Sequence, residues 1–346
     1  MKIAGVVLAL AICFPAVILP ESFRAPADPA LFAPAALPLS PAQGPPSKKA
    51  SDQDKPKGQA AISVSVDLVN LQALVTDKKG NIITGLKPEN FTIYEDNVKQ
   101  EISHFAPVDA ATTTVLLVEF SKMIEYFIED VWNSVYTFAA SLRKGDWVAV
   151  IGYDIRPTIL TDFTQNRNQL YEALSRFNTP AFRESNLCDA LIYTLDRVEE
   201  IDGKVAIILV ATGLDTFSRN TYDDALKKCK SANASVYAVS VGQSVRLRYN
   251  LDDITLLMAD NRLRSFAEFT GGDAFFPRFP AEFSGVFKDI SSSLRNQYSL
   301  GYVSSNPKRD GKLRKIRVEV KADINNDGKP LALKVQTRQG YIAREK

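Results

Sequence analysis

From Ile62 apolar and polar residues alternate with period two: Ile62, Val64, Val66 and Leu68 share one face and, after a change of phase, Val69, Leu71, Ala73 and Val75 share another. That pattern predicts a long strand with a bulge or bend. The turn residues Asp77 to Asn81 lead into NIITGL, and beyond Pro88 the run FTIYEDNVKQEISHF reads as two short strands around an Asp96-Asn97 turn. The alternation returns near the other end of the chain in QYSLGYV, LRKIRVEVKA, LALKVQTR and YIA. Residues 62 to 106 alone would make a marginal core, so the two ends are expected to combine into one small β-sandwich.

The stretch between them alternates differently. TTTVLLVEF, WVAVIGYD, KVAIILVAT and SVYAVSVG are short runs rich in Val, Ile and Leu, and helical stretches separate them, among them Leu187 to Glu200 and Asp223 to Ser231. Strands apolar on both faces and separated by helices predict a doubly wound, mostly parallel α/β sheet. Ligands of such folds sit outside the carboxyl ends of the strands, which directs attention to the residues just after each run. No Gly-x-Gly-x-x-Gly and no Walker loop occurs there, so the dinucleotide and nucleoside triphosphate readings fall away.

Ahead of all this, residues 3 to 19 are apolar behind Lys2, and Pro15, Glu21 and Arg24 follow; this is the pattern of a secretory signal peptide or, uncleaved, of a membrane anchor. Nine of the 18 prolines lie between Pro20 and Pro56, a composition that predicts an extended disordered tether. The chain therefore divides into a signal peptide or anchor at 1–20, a Pro/Ala-rich tether at 21–60, the first part of a β domain at 61–108, an α/β domain at 109–296 and the second part of the β domain at 297–346. The expected location is exported: periplasmic, cell-envelope or secreted. Membrane contact is expected only through an uncleaved N-terminal segment.

Composition narrows the chemistry. With 42 Lys and Arg against 40 Asp and Glu, the net charge of +2 gives no footprint for nucleic acid. One histidine, His104, rules out any two-histidine metal cluster. Ser121 beside Lys122 lacks the spacing of a serine–lysine nucleophile. Cys188 and Cys229 either form one disulfide or stand as two buried thiols. The opening Asp323, Asn325, Asp327 and Gly328 matches a calcium loop, but Lys334 stands at its twelfth position, and a hairpin turn accounts for the same residues. The aromatics Phe275, Phe276, Phe279 and Phe283 read mostly as core, and the basic run from Lys308 to Arg317 as a solvated strand edge.

Taken together, VTDKKGNIITGLKPENFTIYEDNVKQEISHF, LLVEFSKM, NLCDALIYTL, IILVATGLDTFS, FTGGDAFF and LRNQYSLGYV make the chain resemble the von Willebrand factor type A (VWA) domain, specifically the bacterial VWFA-related group, from about Ile62 to Ile342. The resemblance implies a VWA/Rossmann-like fold, an adhesion-type role in protein binding and no catalysis. It also implies a metal-ion-dependent adhesion site, with Asp-x-Ser-x-Ser after the first strand, a middle-loop threonine and a late aspartate. Here Glu119 stands at the aspartate, Ser121 at the first serine, Met123 at the second, Ser185, within a residue or two, at the threonine and Thr212 at the late aspartate. One carboxylate with three hydroxyls is a poor site for a hard divalent ion, so the expectation is no cofactor, at most weakly held magnesium or calcium. Asp215 and Asp189 are reserve carboxylates. The expected partner is a protein, met by loops that include Lys122, Met123 and Asp215. The alternatives are an envelope hydrolase using Glu119 with Asp215 or Asp189, and an inert structural module of an envelope assembly.

Overall fold

A computed structural model describes residues 44–46, 68–106, 108, 110–175, 182–249, 252–323 and 330–345. The signal or anchor segment, almost all of the tether, residues 62–67 of the first strand and the calcium-like loop beyond Asp323 lie outside these residues. Among the described residues no helix is long and apolar enough to cross a membrane.

Four strands come first: β1 (Leu68–Thr76), β2 (Phe91–Glu95), β3 (Val98–Gln100) and β4 (Ile102–Ala106). The β2–β3 hairpin turns on Asp96 and Asn97, both with positive φ (46° and 68°), the conformation that tight two-residue hairpins need and that Asp and Asn tolerate. The central part then supplies β5 (Thr112–Glu119), β6 (Trp147–Tyr153), β7 (Pro157–Thr164), β8 (Lys204–Ala211), β9 (Ser235–Ser240) and β10 (Ala274–Phe275). Its helices are α1 (Ile128–Ser141), α2 (Arg167–Ser175), α3 (Leu187–Val198), α4 (Tyr222–Ser231), α5 (Gly242–Tyr249), α6 (Asp253–Thr270) and α7 (Phe283–Arg295). The chain closes with β11 (Gln297–Val303), β12 (Leu313–Ala322), β13 (Leu331–Gln336) and β14 (Gly340–Ile342).

The result is a mixed α/β protein with two sheets. In the six-stranded sheet the order is β10-β9-β8-β5-β6-β7, and every neighbouring pair is parallel except β6–β7. Alternating residues explain why both faces are covered. Val115, Leu117, Ile207 and Leu209 pack against α3, α4 and α6, whereas Leu116, Val118, Ile208 and Val210 pack against α1, α2 and α7. Local chemistry sets the helix ends: Thr221 and Asp224 cap α4 reciprocally, Asp252 accepts the Thr255 amide at the start of α6, and Gly271 (φ 82°) ends α6 in the left-handed conformation.

The two ends of the chain do combine, but the expected β-sandwich is corrected. They form one antiparallel sheet in the order β3-β2-β12-β13-β1-β11-β4, with β14 beside β12. The sheet coils until its distant strands meet across a single core: Phe91 on β2 lies 5.8 Å from Phe105 on β4 and 5.1 Å from Tyr298 on β11, measured between ring centroids. Glu95, almost fully buried at the end of β2, accepts hydroxyl hydrogen bonds from Tyr302 (2.7 Å), Ser304 (2.6 Å) and Tyr341 (3.0 Å). One coiled layer thus does the work of two, because strong twist lets a sheet cover its own apolar face. A second correction concerns the basic run: β12 is an interior strand between β2 and β13, with Ile316 and Val320 buried and Lys315 and Arg317 exposed. Of the four aromatics, Phe283 is core, Phe275 packs partly and Phe279 is exposed.

The sheets are locked together through buried polar contacts. Gln297 Nε2 donates to the Tyr237 hydroxyl at 2.8 Å, Gln336 Nε2 to the Gly272 carbonyl at 2.8 Å, and the buried Arg338 guanidinium to the Lys230 carbonyl at 2.7 Å. Burial lowers the Arg338 guanidinium to about 10.

Candidate functional site

Strands β5 and β8 are the two central strands of the parallel sheet. The chain moves outward from β5 through β6 to β7 on one side, and from β8 through β9 to β10 on the other. The carboxyl ends of β5 and β8 therefore flank the point where winding reverses, the place where such sheets open a crevice. Glu119 ends β5 and Thr212 directly follows β8, so this topology brings together two residues 93 positions apart.

Glu119 is fully buried (0% exposed), as are Ser121 (0%) and, almost, Thr212 (1%) and Ser185 (2%). The Ser121 hydroxyl donates to Glu119 Oε1 at 2.6 Å, while the Thr212 amide (2.7 Å) and Thr212 hydroxyl (2.8 Å) both donate to Oε2. Each hydroxyl in turn accepts an amide two residues on: Ser121 Oγ from Met123 N at 3.3 Å and Thr212 Oγ1 from Leu214 N at 3.2 Å. The extra methylene of Glu over Asp serves this reach across the strand ends. No cationic side chain contacts the carboxylate among the described residues. Burial pushes the Glu119 carboxyl above the usual carboxylate range, against the lowering pull of the Ser121 and Thr212 donors.

Two further hydroxyls adjoin this carboxylate. Ser185 Oγ and Tyr153 Oη are both buried beside it, and the Ser185 hydroxyl lies close enough to pull the Glu119 carboxyl and the Tyr153 phenol down, against the larger effect of burial. Burial and the neighbouring Glu119 charge both raise the Tyr153 phenol. Tyr153 was not among the sequence candidates, although it ends β6 directly opposite Glu119 in the parallel register.

The remaining carboxylates are committed elsewhere. Asp215 Oδ1 accepts the Cys188 amide at 3.0 Å and the Ser218 hydroxyl at 2.6 Å, which caps α3 from the β8 loop. It does so where Asn186, the residue at the helix start, makes no side-chain cap. Asn186 instead holds three segments together: its Nδ2 donates to the Ile155 carbonyl, its Oδ1 accepts the Phe217 amide, and its own amide donates to the Asp154 carbonyl. Asp189 accepts the amides of Arg219 (2.9 Å) and Asn220 (3.0 Å) and the Asn220 side chain (2.7 Å). Burial raises the Asp189 carboxyl, but these donors outweigh it and hold it below its ordinary value. The two carboxylates expected as reserves for Glu119 are thus placed in a helix cap and a loop contact, Asp215 with Cys188 and Ser218 and Asp189 with Arg219 and Asn220.

A six-coordinate magnesium ion asks for carboxylate oxygens free to bind it. Here the one carboxylate is engaged by three donors, and the second serine position holds Met123, whose half-buried thioether packs into the apolar core. The donor set does not fit the ion that the resemblance implies. Nor do Ser121 and Lys122 form a nucleophile pair, since Ser121 faces Glu119 and Lys122 is exposed. Cys188 and Cys229 are both free and buried; burial, with the Asp215 charge, pushes the Cys188 thiol up to about 12.

Exposed apolar side chains gather around the same edge. Phe217 (69% exposed) projects from the β8 loop, and Phe182 is exposed in the segment whose carbonyl accepts the Lys122 amide. Tyr126 is exposed between β5 and α1. Ile254, Leu257 and Met258 stand exposed on the first turns of α6. Of the loop residues expected to meet a partner, Lys122 is exposed, whereas Met123 and Asp215 are half-buried. The α6 stripe escaped the sequence reading, although its i, i+3, i+4 spacing after the Asp252 cap was the signal that marks it.

No known protein family and no curated protein matches the chain in sequence. Solved structures similar to it include the vWF domain of the type V pili tip protein Mfa5 from Porphyromonas gingivalis, at 13% identity over 54% of this chain and 95% of that one, with a TM-score of 0.44. A von Willebrand factor type A protein from Catenulispora acidiphila is similar over 79% of this chain and 73% of its own, at 11% identity and a TM-score of 0.40. The conserved hypothetical protein BatB from Bacteroides thetaiotaomicron is similar at 14% identity over 53% of this chain and 98% of its own, with a TM-score of 0.40.

Proposed function

We propose that the chain is an exported, non-catalytic protein-binding module. It takes its six-stranded layer as a doubly wound sheet of the VWA kind and meets its partner at the carboxyl edge of that sheet, without a tightly held metal. The observation that carries this reading is the Glu119 network. At the place where an adhesion site of this kind would hold its ion, the carboxylate instead ties the β5 loop to the β8 loop through Ser121 and Thr212. A closed network of this sort fixes loop shape and offers no open coordination position. The apolar side chains around it, Phe217, Phe182, Leu257 and Met258, supply contact surface of the type that marks protein interaction.

Site-specific photo-crosslinking in the exporting cell tests the partner face. A photoreactive residue at Phe217 is expected to give a discrete protein adduct, and one at Lys99, on the exposed side of the coiled sheet, is expected to give none. Adducts from Lys99 alone would place the contact on the β domain and favour the structural-module alternative.

A further inference from the structure

Away from the loop edge, the last turns of α1 and α7 line an open groove of about 340 Å³. Phe287 is its apolar lining, and behind the groove this ring meets Phe138 edge to face at 6.5 Å. Above this, the Ser141 and Ser291 hydroxyls are hydrogen-bonded at 2.7 Å. Arg143, Lys288 and Arg295 line the groove, together with Ser292 and Asn296, and no carboxylate does. Three cations around one concavity exceed the net charge of +2 of the entire chain.

Helix electrostatics explain part of this arrangement. Arg295 donates to the Ser141 carbonyl at the end of α1, and Arg143 lies just beyond the same helix end, where cations are favoured. Lys288 sits about two turns before the end of α7, where the dipole effect has faded, and it makes no hydrogen bond or ion pair among the described residues. The single contact of Arg295 uses one of the five N–H donors of its guanidinium. The half-buried guanidinium is held in place by that contact, so its planar fork is ordered before any ligand arrives.

We propose that this groove binds a phosphate-bearing group: Arg143, Lys288 and Arg295 meet the phosphate oxygens, and Ser292 and Asn296 offer neutral donors. The groove's volume suits a phosphate with a small organic substituent, since ligand pockets start at roughly 300 Å³. A free phosphomonoester and a phospholipid headgroup share this chemistry.

Binding of glycerol 3-phosphate to the full chain, followed by calorimetry at low and moderate salt, distinguishes the two sources when run beside co-sedimentation with vesicles of equal parts phosphatidylglycerol and phosphatidylcholine. Saturable, salt-sensitive binding is expected in at least one arm, weakened about tenfold by Lys288→Gln, the order expected for losing one charge-assisted contact. Glycerol 3-phosphate binding assigns the soluble ligand; vesicle binding alone, lost in the variant, assigns the headgroup. Thermal unfolding checks that the variant is folded, and Arg143→Gln replaces it in the comparison if it is not. Absence of binding in both arms, or binding that the substitution leaves unchanged, overturns the proposal.

Discussion

Glu119→Ala is expected to destabilise the protein by about 2–4 kcal/mol, the range for removing a buried acceptor and leaving its donors unpaired. The Thr212 amide loses its acceptor and cannot rotate toward another, and the Ser121 and Thr212 hydroxyls lose theirs. Glu119→Gln is expected to behave differently. Its carbonyl oxygen keeps the Thr212 donors, its amide can donate to Ser121 Oγ, and it removes a charge that burial disfavours.

The pH dependence follows from the raised Glu119 carboxyl. A group whose folded value lies above its unfolded value contributes its full stability below the unfolded value and loses it as pH rises through the folded one. Wild type should therefore approach the glutamine variant in stability under acid conditions and fall behind it toward neutrality. The gap grows by at most about 1.4 kcal/mol per pH unit between those two values. Urea unfolding at several pH values measures it. If glutamine proves as damaging as alanine at every pH, the charge itself is required and the network is not self-sufficient.

Gly272→Ala is expected to cost more than about 3 kcal/mol or to prevent folding, because overpacking against backbone has no inexpensive relaxation. A Cβ at this position would lie 1.9 Å from the Val236 carbonyl oxygen and 2.6 Å from its carbon. The preceding Gly271 has a positive φ of 82°, and a Cβ there would lie 2.4 Å from the Arg338 amide nitrogen. The pair is thus wedged between β9 and the segment that joins β13 to β14. Gly285→Ala is the control: nothing lies within 4 Å of its added Cβ on α7, and a gain of roughly 0.5–1 kcal/mol is expected from helix propensity. Soluble yield and denaturant midpoints separate the two. Equal midpoints would show that the close approach at Gly272 is readily relieved.

These two sites also mark where the sequence was legible. Strand and helix positions followed from local periodicity, and the hairpin at Asp96 and Asn97 from turn chemistry that a two-residue window contains. The meeting of Glu119 with Thr212 was expected only through the resemblance to the VWA domain, since the two are joined by strand order and not by spacing. Glu95 was beyond reach, because its donors Tyr302, Ser304 and Tyr341 come from more than 200 residues away and depend on the coiling of the sheet. The same coiling made two expected layers into one. The role of Asp215 was missed for a related reason: a residue that caps a helix from another loop leaves no cap signature beside that helix.

We propose that the Glu119 site closes on itself and works without a tightly held metal. Thermal unfolding of the full chain in EDTA and then in Mg²⁺ or Mn²⁺ tests it most directly, because a native-state ligand at 100 times its Kd stabilises by about 2.7 kcal/mol, a shift of several degrees. Coincident unfolding curves are expected. A clear rise in Tm with either ion, abolished by Glu119→Ala in a variant that still folds, would contradict the proposal.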